Sequence, residues 1–425
     1  MKRTLWVIIV AVLVVGIALL TLYIVRKNRS LDQYVHPNSY AIVSVSLDDL
    51  LLDNLDQLFK SRTSDTVEEN FPLLDLENWW KAGIEIPAQI HFFSLHDDPL
   101  TFFTIQRIDN LGKWKTFLKE YVTDSLYTID DPQRLTLAHF PSLTSTLYNE
   151  QYALFRIGLS KHDRSEEMKA IWSEEKDWVH VRDLHQHVDK RTNTHVAYYH
   201  TDRTFQLFAD ISKNQIALSG QWQLASALPA STQVRQPTEN TNLFLSFWST
   251  LPLAQMPFIT KFLTVFSDID EANLIDNSYG YTDLFINNSM TTQRDTIVVY
   301  DYDEDFNSVE RKEIQETRVP VMENVWKGND QLAALLPNKL FYNFNKTLTD
   351  SLILLSTNEQ VEFSPNFVTA SSPFHFLVDF SNIPNAWNGP IFRSLQRRDV
   401  KVNVTTSVSD RHTLGIEGNI SYNAK

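Results

Sequence analysis

Histidine is the residue type best able to do chemistry in this chain, and its placement is uneven. Six of the twelve histidines fall between His162 and His200: His162, His180, His185, His187, His195 and His200. Imidazole nitrogens bind transition metals, and alternate positions of an extended segment share one face. His185-x-His187 would therefore present two ligands together. His195 and His200 complete the candidate metal set, and Asp183, Asp189 and Asp202 could add ligands or orient the rings. Such a site would suit a metal-dependent hydrolase or a metal sensor. The same residues also describe a solvated connection between Lys176 and Thr194, with His195 and His200 ending a strand.

Other constellations are thinner. Asp301-x-Asp303-x-Asp305 resembles the start of a calcium loop. An EF-hand requires glycine at its sixth position and glutamate at its twelfth, where this chain has Phe306 and Lys312. A solvated hairpin tip is the plainer reading. Ser173-Glu-Glu-Lys176 matches a Ser–Lys nucleophile spacing, but in a charged segment that reads as an exposed helix. Trp79 and Trp80 are adjacent, and both cannot easily face one helix core, so one of them is a candidate contact for a glycan or a protein partner.

The composition excludes more than the motifs include. With no cysteine there is no disulfide framework, thiolate zinc site, iron–sulfur cluster or thiol nucleophile. There are ten glycines, and no two lie closer than Gly415 and Gly418. That leaves neither a dinucleotide fingerprint nor a P-loop, and no nucleotide or other cofactor is expected. HExxH and GxSxG are also missing, so no catalytic residue is nominated. A net charge of −14 argues against nucleic acid as a partner.

The N-terminus sets the expected location. Residues 4–25, TLWVIIVAVLVVGIALLTLYIV, are uncharged between Arg3 and Arg26. At 1.5 Å per residue they make about 33 Å of helix, enough for a bilayer core. A cleaved signal peptide would be shorter and would end in a small-x-small site, whereas LLTLYIV follows Gly16 and Ala18 here. The expectation is an uncleaved signal-anchor: a single-pass helix in the inner membrane, with the bilayer as partner through residues 4–25. The flanking charges are nearly tied. The short tail favours a cytoplasmic N-terminus and a periplasmic body.

Beyond residue 29, with 33 basic and 52 acidic residues, hydrophobic periodicity reads as alternating strands and helices. Strands are read at Tyr40–Ser46, at a hairpin of Gln89–Leu95 and Thr101–Ile108, and at Arg134–Phe140 and Gln151–Ser160. Two amphipathic helices are read, one starting after Ser46 and one capped by Asn110. The stretch Ala230–Asn242 is polar, holds Pro237 and has no apolar period, which reads as a linker. The pattern then restarts. Asn242–Trp248 parallels Tyr40–Ser46, and Phe374–Phe380 parallels His195–His200. A hairpin is read at Tyr281–Asn287 and Thr296–Tyr302, followed by Val309–Val319. The restart is read either as a degenerate duplication or as unrelated β-rich segments. The expected fold class is thus α+β: an N-terminal transmembrane helix and two β-rich antiparallel α+β modules. The expected domains are an anchor at 1–29, a first module at 30–229, a linker at 230–242 and a second module at 243–425.

The run Val35-His-Pro-Asn-Ser-Tyr-Ala-Ile-Val-Ser-Val-Ser, then a leucine-rich helix, then Ala82-Gly83-Ile84 before a hairpin, resembles a set of uncharacterised single-pass, membrane-anchored envelope proteins of Gram-negative bacteria. The likeness spans residues 1–160 and implies location and architecture, with no chemistry to carry over. The function expected is a membrane-tethered, non-enzymatic binding or assembly protein of the cell envelope, with an envelope protein or polymer as partner. Metal chemistry at the histidines and glycan binding at Trp79 or Trp80 stand as alternatives.

Overall fold

The computed structural model describes residues 21–53, 81–95, 98–121, 127–128, 135–140, 144–158, 165–184, 194–228, 232–237, 242–266, 269–302, 308–359, 363, 365–387 and 389–423. The chain divides into two compact units, Met1–Ser212 and Lys213–Lys425.

The strands of the first unit are β1 (Tyr34–Val35), β2 (Ser39–Ser46), β3 (Gln89–Leu95), β4 (Asp98–Arg107), β5 (Tyr127–Thr128), β6 (Thr136–His139), β7 (Thr144–Tyr148), β8 (Tyr152–Gly158), β9 (Val179–His180), β10 (Val196–His200) and β11 (Phe205–Ser212). Their antiparallel pairings run in the order β11-β10-β2-β3-β4-β8-β7-β6-β5, and β1 pairs separately with β9. Ile42, Phe93, Phe103, Ile105 and Leu154 meet Met168, Ile171 and Trp172 of the helix Ser165–Ser173. A second core forms around Trp114, Phe117 and Leu118, which occupy one face of the helix Leu111–Tyr121. Their spacing of three and four residues places them on one helical stripe. Burying each of these large side chains contributes about 1.5–3 kcal/mol.

The second unit contains β12 (Gln215–Gln223), β13 (Thr232–Arg235), β14 (Leu243–Ser249), β15 (Ser278–Tyr302), β16 (Ser308–Gly328), β17 (Asn345–Thr349), β18 (Leu352–Ser356), β19 (Phe367–Ala370), β20 (Phe374–Asp379), β21 (Lys401–Val408) and β22 (Thr413–Ser421). These pair antiparallel in the order β12-β22-β21-β20-β14-β15-β16-β18-β17, with β13 and β19 forming a separate ribbon. Seven strands follow one topology in both units: β11-β10-β2-β3-β4-β8-β7 in the first and β21-β20-β14-β15-β16-β18-β17 in the second. Gly280 opens β15 at a positive φ of 73°, where the register with β16 shifts between Ser278 and Thr282. Glycine adopts that backbone without a Cβ penalty.

Two expectations are corrected. The fold is predominantly antiparallel β-sheet with short helices, in place of an α+β fold headed by a transmembrane helix. No helix among the described residues is long and apolar enough to cross a membrane. That overturns the single-pass signal-anchor and the inner-membrane, periplasm-facing localisation built on it; residues 4–20 of the expected span lie outside the described residues. What is described of it, within helical residues 21–30, is held by polar contacts. Tyr23 donates to Asp49, Lys27 pairs with Asp49 at 3.1 Å, and Arg26 pairs with Asp48 at 3.0 Å.

Within the expected linker, Thr232–Arg235 forms strand β13 and pairs with β19. Pairing with a distant strand supplies the order that its composition does not suggest.

Candidate functional site: a free-standing β-ribbon

Strands β15 and β16 are far longer than any other pair in the chain, at 25 and 21 residues. Their sequences explain the pairing. Thr291, Thr292, Thr296, Ile297, Val298, Val299 and Tyr300 are β-branched or aromatic; Thr291 and Thr296 face Val319 and Ile314 across the ladder, and Ile297 to Tyr300 face Glu313 to Glu310. Near its base the hairpin belongs to the sheet. Residues 282–287 of β15 pair with β14, and residues 323–327 of β16 pair with β18. At the transition the register shifts between Ile286 and Met290, and Pro320 lies opposite Met290. A proline has no N–H to lose from a ladder, so it is tolerated at such an irregularity.

Beyond that point the two strands pair with each other alone among the described residues, from Arg294↔Glu316 to Tyr302↔Ser308. Nine residues per strand give an arm of about 30 Å. Residues 294–300 and 310–318 are all exposed, so neither face of the ribbon packs on a core. Large apolar side chains lie in the open there: Ile297 and Val299 at 36%, Val298 at 46%, Tyr300 at 62% and Ile314 at 72%. The two strands differ in chemistry. Thr296–Tyr300 carries no charge, while β16 presents Glu310, Arg311, Lys312, Glu313, Glu316 and Arg318.

Ion pairs fix the base of the arm. Arg294 pairs with Glu316 at 2.9 Å, and Lys339 reaches Asp295 at 3.1 Å. The hydrogen bond and charge of Lys339 hold the Asp295 carboxyl below the usual carboxylate range. Gln293 donates to the carbonyls of Asn343 (2.6 Å) and Thr357 (3.1 Å), and accepts from the Asn343 N–H (3.1 Å).

Beneath the arm, a buried charge cluster joins β13 to β15 and β16. The Arg235 guanidinium donates to both Asp283 oxygens at 2.9 Å and to Glu323 at 2.6 Å. The Tyr281 hydroxyl donates to Asp283 at 2.7 Å and accepts from the Arg235 N–H at 2.9 Å; Val325 N–H donates to Asp283 at 3.0 Å. Arg235 also sits over the Phe285 ring, 4.7 Å from its centre. All three charged residues are buried. Burial opposes the charge on Arg235, yet hydrogen bonds and attraction from Asp283 and Glu323 outweigh it and raise its pKa. Burial likewise pushes the Asp283 carboxyl up, against the pull of Arg235, Tyr281 and Val325. With all three guanidinium nitrogens and both Asp283 oxygens hydrogen-bonded, this cluster is suited to holding strands in place. Neither it nor the arm was nominated from sequence.

The sequence-nominated residues fall elsewhere. His162, His185 and His187 lie outside the described residues, as do Trp79 and Trp80 and positions 303–305 of the Asp301–Asp305 motif. The described histidines each have local partners. His195 Nδ1 accepts from the Ile211 N–H at 3.0 Å, and its Nε2 lies 3.2 Å from an Asp53 carboxylate oxygen outside hydrogen-bond geometry. His200 contacts the Tyr198 and Thr204 hydroxyls, both at 3.1 Å, and packs on Tyr40. His180 donates to the Asp32 carbonyl at 2.6 Å and stacks on Tyr34. His195 immediately precedes β10 and His200 ends it, about 17 Å apart along the chain direction. Among the described residues, no group of three or more histidine or carboxylate side chains is placed to hold a metal ion. Ser173 donates to the Ala170 carbonyl at 2.7 Å, at the exposed end of its helix.

No protein-family model matches this chain, and no curated protein does. One solved structure, described as crystal form III of TP0453, aligns with 77% of this chain and 91% of its own, at 8% identity and a TM-score of 0.25. Similarity at that level carries no argument for fold or function.

Proposed function

We propose that this chain is a non-enzymatic binding or assembly protein and that the β15–β16 arm is its contact element. The observation that carries this reading is the ribbon of residues 294–300 and 310–318, exposed on both faces and bearing five large apolar side chains. Exposed apolar groups gathered on one projecting element mark interaction surfaces more often than scattered ones do. The arm also has a stable footing, since β14, β18 and the Arg235 cluster fix its base. A rigid base lowers the ordering cost of presenting a contact element.

The test removes the arm and leaves the sheet. Residues 294–316 are replaced by Asn-Gly, closing a two-residue turn between the paired residues Gln293 and Thr317. The shortened chain is expected to unfold at nearly the same temperature as the full chain and to lose its binding partners in a quantitative pull-down. Retention of the same partners in the same amounts would overturn the assignment.

A further inference from the structure

Every strand edge is a row of backbone donors and acceptors, and proteins usually defend exposed edges with charge, proline or bulges. The two edges of this arm are treated differently. The β16 edge carries Glu310, Arg311, Lys312 and Glu313 in succession, a charged edge that discourages pairing. The β15 edge reads Thr296-Ile-Val-Val-Tyr300, uncharged, free of proline and glycine, and made of strong strand formers. Among the described residues no strand pairs with it beyond Asn287.

We infer that the outer edge of β15 pairs antiparallel with the same edge of a second copy of this chain, in a register centred on Ile297. This rests on the reading of the arm as the contact element and names its partner. Charge and ring contact together select the register. Two copies related by a two-fold axis perpendicular to the ribbon must pair about a residue of β15. Centring on Val298 sets Asp295 opposite position 301, another aspartate, on both sides of the axis. Like charges directly opposite oppose pairing. Centring on Ile297 sets Ile297 against Ile297, Thr296 against Val298 and Asp295 against Val299. It also sets Arg294 against Tyr300 twice, a cation facing an aromatic ring. No like charges oppose each other over residues 294–300. Centring on Thr296 also avoids like charges, but it sets Arg294 against Val298 and Tyr300 against Thr292. The product is a four-stranded sheet, β16-β15-β15-β16, whose two outer edges are the charged ones, so growth stops at two copies.

The natural absence of cysteine makes the register directly testable. Directly opposed residues in an antiparallel pair have Cα atoms about 4.5–5.5 Å apart. That lies within the about 4.4–6.8 Å a disulfide spans. Full-length Ile297→Cys is expected to form a disulfide-linked dimer under mild oxidation. Tyr300→Cys lies about 20 Å from its own copy in this register and is expected to stay monomeric. By light scattering, the unmodified chain is expected to rise from 49.3 kDa toward twice that mass through about 0.1 mM, the range of a small interface. Ile297→Lys and Ile297→Glu should each remain monomeric, while an equimolar mixture should restore the dimer.

An unmodified chain that stays monomeric at about 1 mM overturns the inference. So do a dimer that survives Ile297→Lys and a Tyr300→Cys crosslink as efficient as that of Ile297→Cys. If the chain is monomeric but the shortened-arm variant still loses its partners, the arm remains a contact element and only the second copy is refuted. Unfolding temperatures of the variants, measured alongside, separate loss of pairing from loss of fold; both faces of the ribbon are solvated, so none of these substitutions disturbs a core.

Discussion

Replacing Arg235 with methionine removes three charge-assisted hydrogen bonds and leaves Asp283 and Glu323 buried without their cation. Removing one partner of a buried ion pair costs about 3–5 kcal/mol, because the remaining charge has no water to solvate it. That is a large share of the about 5–15 kcal/mol that holds a domain folded. At about 2–4 °C per kcal/mol for a unit of this size, the melting temperature should fall by about 6–20 °C. The pH dependence supplies a second readout. Burial already pushes the Asp283 carboxyl up, and without the opposing pull of Arg235 its folded pKa rises further above the unfolded one. A group shifted that way favours folding at low pH and loses that contribution as pH rises. The deficit of Arg235→Met relative to the parent chain should therefore be smaller at pH 5 than at pH 8. Arg235→Lys should recover part of the loss, since it keeps the charge but not the fork that reaches both carboxylates. Calorimetry or circular dichroism on the full chain at the two pH values decides the matter. A loss below about 1 kcal/mol, or a deficit independent of pH, would refute the account of this cluster as a charge-balanced clamp.

Other expectations concern smaller groups. His375 stacks on Trp248 with ring centres 4.0 Å apart, and burial lowers its pKa. Its unfolded value is near 6.5, so its contribution is complete above that pH and lost as pH falls below it. Unfolding followed by tryptophan fluorescence should show this loss, and His375→Phe should abolish it. Asn329 caps the helix Asp330–Leu335 by accepting from the Leu332 N–H at 3.0 Å, and it donates to Asn277 at 2.8 Å. Asn329→Ala should cost about 1–2 kcal/mol in denaturant unfolding, with an unchanged m-value.

The elements legible from sequence were those with a clear apolar run or period. Tyr40–Ser46 and Gln89–Leu95 are apolar strand runs and the helix after Asn110 has one apolar face, and the structure has β2, β3 and the helix Leu111–Tyr121 there. In the arm, Thr296–Tyr302 and Val309–Val319 read as strands, but no burial period carries through residues 288–295, and Asn287-Asn-Ser289 mimics a turn. The strand runs through that point instead. Asn288 N–H bonds the Asn242 carbonyl, and the Asn287 side chain accepts from the Ser289 N–H. Arg235 was hidden for another reason. A cation in a polar stretch reads as solvated, and what permits its burial is carboxylates 48 and 88 residues away along the chain. Local pattern carries no trace of such partners. Of the clustered histidines, His195 lies just before β10 and His200 ends it, so closeness in sequence does not by itself bring these two rings together.

The arm has a consequence for how the molecule opens. A two-stranded ribbon without a third strand or a covering helix is marginal in water. Its ladder is flanked by solvent on both sides, so its amides should exchange with deuterium at a free energy well below that of the sheet at its base. The boundary should fall near the Ile286–Met290 register shift, where pairing to β14 ends. The hairpin thus divides into a protected root and a fraying limb, and any strand added to the limb would be recorded as slowed exchange in residues 294–302.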